Sequence, residues 1–205
     1  MLIFNKYTMK TIHFKVVLFV SMIAMLMPSC TKDSDVEVPS AKTTLFAENF
    51  DNVDLTFTGW TRYAQTGTKL WTQGSYKNNG YAKFSSYGSG QPVNVTWLIS
   101  PAISMDTQVG EKLFFQSCQD GYVRSLDNSL ELYVSTDYDG ITFDNASWEK
   151  IPFIFPTQNS PRYIYIDSGI IDLSSYTGTL HFAFKVKGTS SLTGGYQVDN
   201  VRLFY

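Results

Sequence analysis

Aromatic residues with polar neighbours are the part of this sequence best suited to chemistry. Five lie in or beside Gly-, Ser- and Asn-rich segments: Trp71, Tyr76, Tyr81, Tyr87 and Tyr122. Amide side chains occur in the same region at Gln73, Asn78, Asn79 and Gln91. A sugar ring can stack its C–H face on an aromatic ring and bind amides through its hydroxyl groups, so this mixture predicts a carbohydrate-binding site. Alternatively, these tyrosines only cap the ends of a core.

Two carboxylates fall on strand faces that should be buried. Glu48 shares a face with two phenylalanines, and Asp199 shares one with Val201 and Leu203. A buried carboxylate without a partner is costly, so each needs a cation or hydrogen-bond donors. Calcium, which takes about 6 to 8 oxygen ligands, would satisfy them. Backbone amides or an arginine such as Arg202 are the alternative.

Groups for common enzyme chemistry are scarce beyond the N-terminal segment. One histidine, His181, is the single candidate base there, on the polar side of a predicted strand, and no Gly-x-Ser-x-Gly segment is present. One His and one Cys cannot supply three zinc ligands of those types. A carboxylate pair that hydrolyses a glycosidic bond stays open, because 18 Asp and Glu offer many pairs.

The segment 137–140 has the sequence Asp-Tyr-Asp-Gly, which resembles the opening of a calcium loop. The twelfth loop position should then be glutamate but is Trp148. A hairpin turn is the favoured interpretation.

Short strands must position all of these residues. Apolar and polar side chains alternate through 130–135 and 180–187, and about eleven such runs are separated by turn signals, which predicts a two-sheet sandwich. Trp60, Trp97 and Trp148 lie in such runs and are predicted to be core. Aromatic residues at 16%, charged residues at 17% and a net charge of −2 favour an antiparallel β protein over a nucleic-acid binder.

The N-terminal segment is typical of a secretion signal. Lys6, Lys10 and Lys15 precede an apolar run over 16–27, which is too short to cross a bilayer of about 30 Å. Residues 26–30, Leu-Met-Pro-Ser-Cys, resemble a bacterial lipobox, so residues 1–29 are predicted to be a signal peptide and Cys30 to be acylated. The acidic stretch 31–35 resembles a surface-export signal of outer-membrane lipoproteins, or is an ordinary polar linker.

Residues 30–43 are predicted to form a flexible tether and 44–205 a single domain. With Cys30 acylated, Cys118 has no disulfide partner, and its strand-like surroundings predict a buried structural thiol.

Seven segments in order resemble the choice-of-anchor J and cleaved-adhesin type of domain, a relative of MAM-like jelly rolls. They are LFAENF at 45–50, GW at 59–60, WLISPAI at 97–103, LYVSTDYDG at 132–140, Trp148 before Ile151, IDLSSY at 171–176 and YQVDNV at 196–201. The resemblance implies a galactose-binding-like jelly roll over 44–205, usually non-catalytic. It also implies that the first and last strands lie close, so that Glu48, Asp51 and Asp199 could hold one structural calcium ion.

The expected function is that of a surface-exposed lipoprotein, anchored in the outer membrane by lipid, whose β-sandwich binds a polysaccharide or a host or matrix surface component. The first alternative is an assembly module that contacts an outer-membrane protein partner. The second alternative is a glycoside hydrolase.

Overall fold

Short β-strands form nearly all the regular structure of the described residues. The computed structural model describes residues 42–51, 59–119, 129–191 and 194–205. The strands are β1 Thr44–Glu48, β2 Thr61–Thr66, β3 Thr72–Tyr76, β4 Asn79–Ser85, β5 Asn94–Ile99, β6 Ile103–Ser104, β7 Lys112–Gln119, β8 Ser129–Ser135, β9 Glu149–Ile151, β10 Ile166–Asp167, β11 Ile171–Asp172, β12 Thr179–Gly188 and β13 Gly195–Phe204. A single 3₁₀ turn is described, at Phe143–Asn145. No described helix is long and apolar enough to cross a membrane.

The strands pair into two antiparallel sheets. The seven-stranded sheet has the order β10-β7-β13-β4-β3, with β1 also paired to β13 and β11 to β7. The six-stranded sheet has the order β2-β5-β12-β8-β9, with β6 also paired to β12. The predicted all-β jelly-roll sandwich is therefore confirmed.

The core lies between the two sheets and is rich in aromatic rings. Phe84 of β4 and Phe115 of β7 face inward from one sheet, and Phe182 and Phe184 of β12 from the other. The Phe115 and Phe184 rings meet edge to face, with centroids 4.8 Å apart. Trp60 is buried here too, as predicted. Burying each such ring contributes roughly 1.5–3 kcal/mol.

A second apolar cluster covers the outer face of the six-stranded sheet. This outer aromatic cluster consists of Trp97, Tyr133, Tyr138, Phe143 and Trp148, with Tyr63 and Ile99 beside them. The segment 136–148 supplies three of its rings and lies over the sheet. It joins the antiparallel strands β8 and β9, so the predicted hairpin is present, with a long connection. Trp97 and Trp148 are thus packed as predicted, but outside the main core.

His181 lies on the polar, outer side of its strand, as predicted, but it is buried there. Tyr138 covers it on the outer face of β12, with ring centroids 5.0 Å apart. Its Nδ1 lies 2.8 Å from the Ser100 carbonyl oxygen. The alternation gave the correct face, but segment 136–148 removes that part of the face from solvent.

A β-bulge in β13 changes the face on which Asp199 lies. The register against β7 pairs Asp199 with Gln116 and Leu203 with Leu113, and it shifts between Asp199 and Arg202. Asn200 adopts a φ of 52°, in the left-handed region. Paired residues share a face, so Asp199 lies on the outer face with Gln116, not on the inner face with Leu203. The predicted face of Asp199 was therefore wrong.

Candidate functional site

A groove lined by tyrosines lies on the outer face of the seven-stranded sheet. We call it the tyrosine groove, and its volume is about 590 Å³. Strands β3, β4 and β13 and the connection before β10 supply its lining residues, which are Tyr76, Asn79, Tyr81, Lys83, Tyr163, Tyr165 and Gln197.

Strand alternation places the β4 side chains in the groove. Ala82 and Phe84 are fully buried in the core, so Tyr81 and Lys83 point to the opposite face. Tyr81 pairs across the sheet with Gly74 of β3. A Cβ atom added at Gly74 would lie 2.3 Å from the Tyr81 ring, so the ring rests directly against the glycine backbone. The lack of a side chain at Gly74 therefore sets the position of this ring.

Gln197 and Tyr165 form the deepest polar contact of the groove. Gln197 is only 4% exposed, and its Oε1 accepts a hydrogen bond of 2.9 Å from the Tyr165 hydroxyl. The Cys118 Sγ donates to the same oxygen at 3.5 Å. Burial raises the pKa of the Tyr165 hydroxyl far above its ordinary value, so this hydroxyl stays a hydrogen-bond donor at physiological pH. Cys118 is fully buried, as predicted.

Tyr163 forms one wall in a backbone conformation that few residues adopt. Its φ is 59°, and its N–H donates to the Gln119 carbonyl oxygen at 2.9 Å. The Arg162 guanidinium lies over its ring, 5.1 Å from the centroid, and donates to its hydroxyl at 3.1 Å. The ring is about half exposed, so it can offer an edge or face to a ligand.

Asn79 links the groove to the acidic residues beside it. Its Nδ2 donates to Asp199 Oδ2 at 2.9 Å and to the Gly80 carbonyl oxygen at 3.2 Å. Asp199 also accepts from the Asn200 N–H at 2.6 Å. These bonds hold the amide at the end of the groove with its two donor hydrogens directed at the protein.

The three predicted metal ligands are neighbours, and each accepts protein hydrogen bonds. Glu48 Oε1 accepts from the Phe50 N–H at 2.8 Å, and Asp51 Oδ1 accepts from the Gly80 N–H at 2.7 Å. The pKa of Asp199 is raised, first by burial and then by the negative charges of Asp51 and Glu48, although its hydrogen bonds oppose the shift. Within the described ranges, no three His, Cys, Asp or Glu side chains form a group suited to a metal ion. Calcium binding stays a prediction.

The structure brings some of the predicted ligand residues together and separates others. Tyr76, Tyr81 and Asn79 line the groove, whereas Tyr87 is exposed in the turn after β4 and does not. Asn78 lies in the turn between β3 and β4, and Gln73 donates to the Phe50 carbonyl oxygen at 2.6 Å. Tyr122 lies outside the described residues.

The prediction for Trp71 was wrong. Trp71 is fully buried, and its ring packs against Phe84 and Phe184, with centroids 6.3 and 6.5 Å away. It comes one residue before β3, so it turns into the core rather than projecting from a loop.

Sequence reasoning missed four residues of the groove: Lys83, Tyr163, Tyr165 and Gln197. The Tyr-Ile-Tyr-Ile spacing at 163–166 was an available signal, because it can place two tyrosines on one face of an extended segment. Lys83 was signalled by its outward phase between Ala82 and Phe84. Gln197 was not, because strict alternation gives it the inward phase of Val201 and Leu203, which the register shift between Asp199 and Arg202 reverses.

The two antiparallel sheets define a jelly-roll β-sandwich domain. Among solved structures the chain is similar to the K1 cleaved adhesin domain of Lys-gingipain from Porphyromonas gingivalis W83, with a TM-score of 0.51 and 20% identity over 77% of this chain and 96% of that one. It is also similar to the K3 domain of the same protein, with a TM-score of 0.51 and 18% identity over 80% of this chain and 100% of that one. No family model and no curated protein matches.

At these identities, the comparisons show a shared fold. A weaker alignment, with a TM-score of 0.46 and 11% identity over 77% of this chain and 98% of that one, reaches the module TmCBM61 in complex with β-1,4-galactotriose. A TM-score below 0.5 supports no conclusion about this chain.

Proposed function

We propose that this protein binds a saccharide in the tyrosine groove without catalysing a reaction on it. The observation that carries the proposal is the groove itself, in which tyrosine rings stand beside amide and ammonium groups on an open sheet face. Sugar rings need apolar faces for their C–H groups and hydrogen-bonding groups for their hydroxyls, and the groove supplies both.

The arrangement of the groove favours binding over hydrolysis. Its seven described lining residues include no Asp or Glu, so a pair of carboxylates for glycoside hydrolysis does not line it. Asp199, the carboxylate attached to it through Asn79, is only 2% exposed. The polar groups are held by neighbours, as in the Tyr165–Gln197 hydrogen bond, which preorganises a site for binding.

A glycan-array measurement on the purified chain tests this proposal. We expect saccharide binding that falls about tenfold in Tyr76→Ala, because removing an exposed ring of a binding site costs upward of about 1 kcal/mol. Tyr87→Ala is the matched control, since Tyr76 and Tyr87 are 67% and 74% exposed but only Tyr76 lines the groove. A blank array with folded protein, or equal loss in both variants, would remove the groove as a saccharide site.

We also propose that the protein is a surface lipoprotein, acylated at Cys30 after export. The lipobox-like residues 26–30 and the predicted tether 30–43 support this, and all of them except residues 42 and 43 lie outside the described residues. Many copies held on one membrane would raise weak single-site affinity for a polysaccharide or a host or matrix surface component. Incorporation of labelled palmitate in the wild type but not in Cys30→Ser tests it, and equal labelling would count against it.

We also propose that a structural calcium ion binds beside Glu48, Asp51 and Asp199. Burial raises the pKa of Asp199 first, and the negative charges of Asp51 and Glu48 raise it further; a bound cation would offset that repulsion. We expect calcium to raise the melting temperature of the wild type and to have no effect on the Glu48→Ala/Asp199→Ala double variant. An unresponsive wild type would end the calcium proposal.

Contact with a partner protein is the second candidate function. The segment 153–170 exposes four large apolar side chains, which are Ile154, Phe155, Ile164 and Ile170. Exposed apolar groups close together in a chain are typical of interaction surfaces. Pull-down with wild type and with Phe155→Ser separates this candidate from saccharide binding, because Phe155 does not line the tyrosine groove.

A further inference from the structure

We infer that the tyrosine groove takes an anionic saccharide, one whose sugars carry carboxylate or sulfate groups. This inference rests on the proposed function and names the substrate class of the same site. It is carried by the positive charges at the groove and by the way the nearby carboxylate is shielded.

Three cationic side chains stand at the groove. Lys83 lines it directly. The Lys77 ammonium lies 5.3 Å from the ring centroid of Tyr76, and the Arg162 guanidinium carbon lies 5.1 Å from that of Tyr163. Two rings that line the groove therefore each carry a cation on one face, which leaves the rest of the ring for a ligand.

Among the described residues, none of these three cations forms an ion pair. In the described part of the chain, the ion pairs join Lys112 to Asp172 and join Lys150 and Lys185 to Glu131. None of them involves Lys77, Lys83 or Arg162. The whole chain has a net charge of −2, so the positive charge of the groove is local rather than a property of the molecule.

Asp199, the carboxylate joined to the groove through Asn79, is shielded from a ligand by burial and by its own hydrogen bonds. Asp199 is 2% exposed, and Asn79 covers one of its oxygens while the Asn200 N–H binds the other. A carboxylate or sulfate bound between Lys83 and the rim cations would therefore meet donors and little repulsion. Charge-assisted hydrogen bonds of this kind are about twice as strong as neutral ones.

Charged and uncharged polysaccharides provide the test. The full chain, purified in detergent, is titrated with sodium polygalacturonate, with the same polymer fully methyl-esterified, with chondroitin sulfate and with neutral galactan. We expect binding to polygalacturonate, to chondroitin sulfate or to both, with about tenfold weaker binding to the esterified polymer and further weakening in 0.5 M salt. The two charged polymers distinguish carboxylate from sulfate.

A charge-neutralising pair of variants locates the effect. Lys83→Gln should weaken binding of the charged polymer about tenfold, whereas Lys187→Gln, at a half-buried lysine on the outer face of the other sheet, should leave it unchanged. Equal binding of charged and neutral polymers would overturn the anionic inference and keep the proposed function. Binding of galactan alone would do the same, and no binding to any polymer would overturn both.

Discussion

Tyrosines line an open groove on the outer face of the seven-stranded sheet, whereas the aromatic side chains on the outer face of the six-stranded sheet are covered by the chain itself. Both faces are built on the same alternation, with core residues inward and mixed residues outward. Segment 136–148 makes the difference, because it places Phe143 and Trp148 over Trp97. An outward aromatic residue is thus buried or left in an open groove according to whether a connection covers it.

The covering segment is held in place by its own acidic residues. Asp137 Oδ1 accepts hydrogen bonds from the Ser135 hydroxyl at 2.7 Å and from the Ser147 N–H at 2.8 Å. Asp139 Oδ1 accepts from the N–H groups of Ile141 and Thr142 at 2.8 and 2.6 Å. The Asp-Tyr-Asp-Gly sequence therefore fixes turns through backbone donors, and neither carboxylate needs a metal to satisfy it.

The largest expected effect comes from removing the centre of the outer aromatic cluster. Trp97→Ala should lower the free energy of unfolding by about 3–5 kcal/mol, because it leaves a cavity under segment 136–148. Tyr76→Ala, on the open face, should change it by less than about 0.5 kcal/mol. Denaturant titration measures both, and similar losses would show that the two faces do not differ in this way.

A smaller effect is expected at Gly74, where the lack of a side chain leaves room for the Tyr81 ring. Gly74→Ala forces the Tyr81 ring to move, and we expect a loss of about 1–3 kcal/mol in unfolding free energy together with weaker saccharide binding. Ser75→Ala, at the next, exposed position of β3, should leave both unchanged. Unaltered binding in Gly74→Ala would show that the Tyr81 position is unimportant to the ligand.

The smallest effect is a difference in pH dependence between the two faces. Burial raises the pKa of Asp199 above 3.8, so its contribution to stability is complete below 3.8 and is lost as the pH rises through the folded-state pKa. Hydrogen bonds, first from Ser135, lower the pKa of Asp137 below 3.8, so its contribution is present above 3.8 and is lost as the pH falls through the folded-state pKa.

Unfolding free energy measured against pH in chelator separates these two carboxylates. Asp199→Asn should remove a decline that occurs as the pH rises, and Asp137→Asn should remove a decline that occurs as the pH falls. Changes of the same sign in both variants would contradict the assignment.

Much of the fold was predictable because strand alternation is a local property. The runs through 130–135 and 180–187 became β8 and β12 with their apolar residues inward. The face of Asp199 was not predictable from the alternation of side chains along the strand. The bulge at Asn200 that changes this face depends on the pairing of β13 with β7. Trp71 was misplaced for a related reason, because the strand begins one residue after it.

The groove was only partly predictable because it joins distant segments. Tyr76 and Tyr81 come from one hairpin, and their outward direction follows from local pattern. Tyr165 reaches Gln197 across 32 positions of sequence, through a connection with little regular structure. The local sequence pattern does not indicate that the connection before β10 lies beside the outer face of the seven-stranded sheet.

The position of β13 in the seven-stranded sheet has a consequence for when the domain can form. β13 pairs with β1, β4 and β7, all of which precede it in the chain. The ribosome must therefore finish β13 before these strands can be joined, and contacts of such long sequence separation form slowly, in milliseconds to seconds. The strand order itself therefore delays folding of the domain until synthesis of β13 is complete.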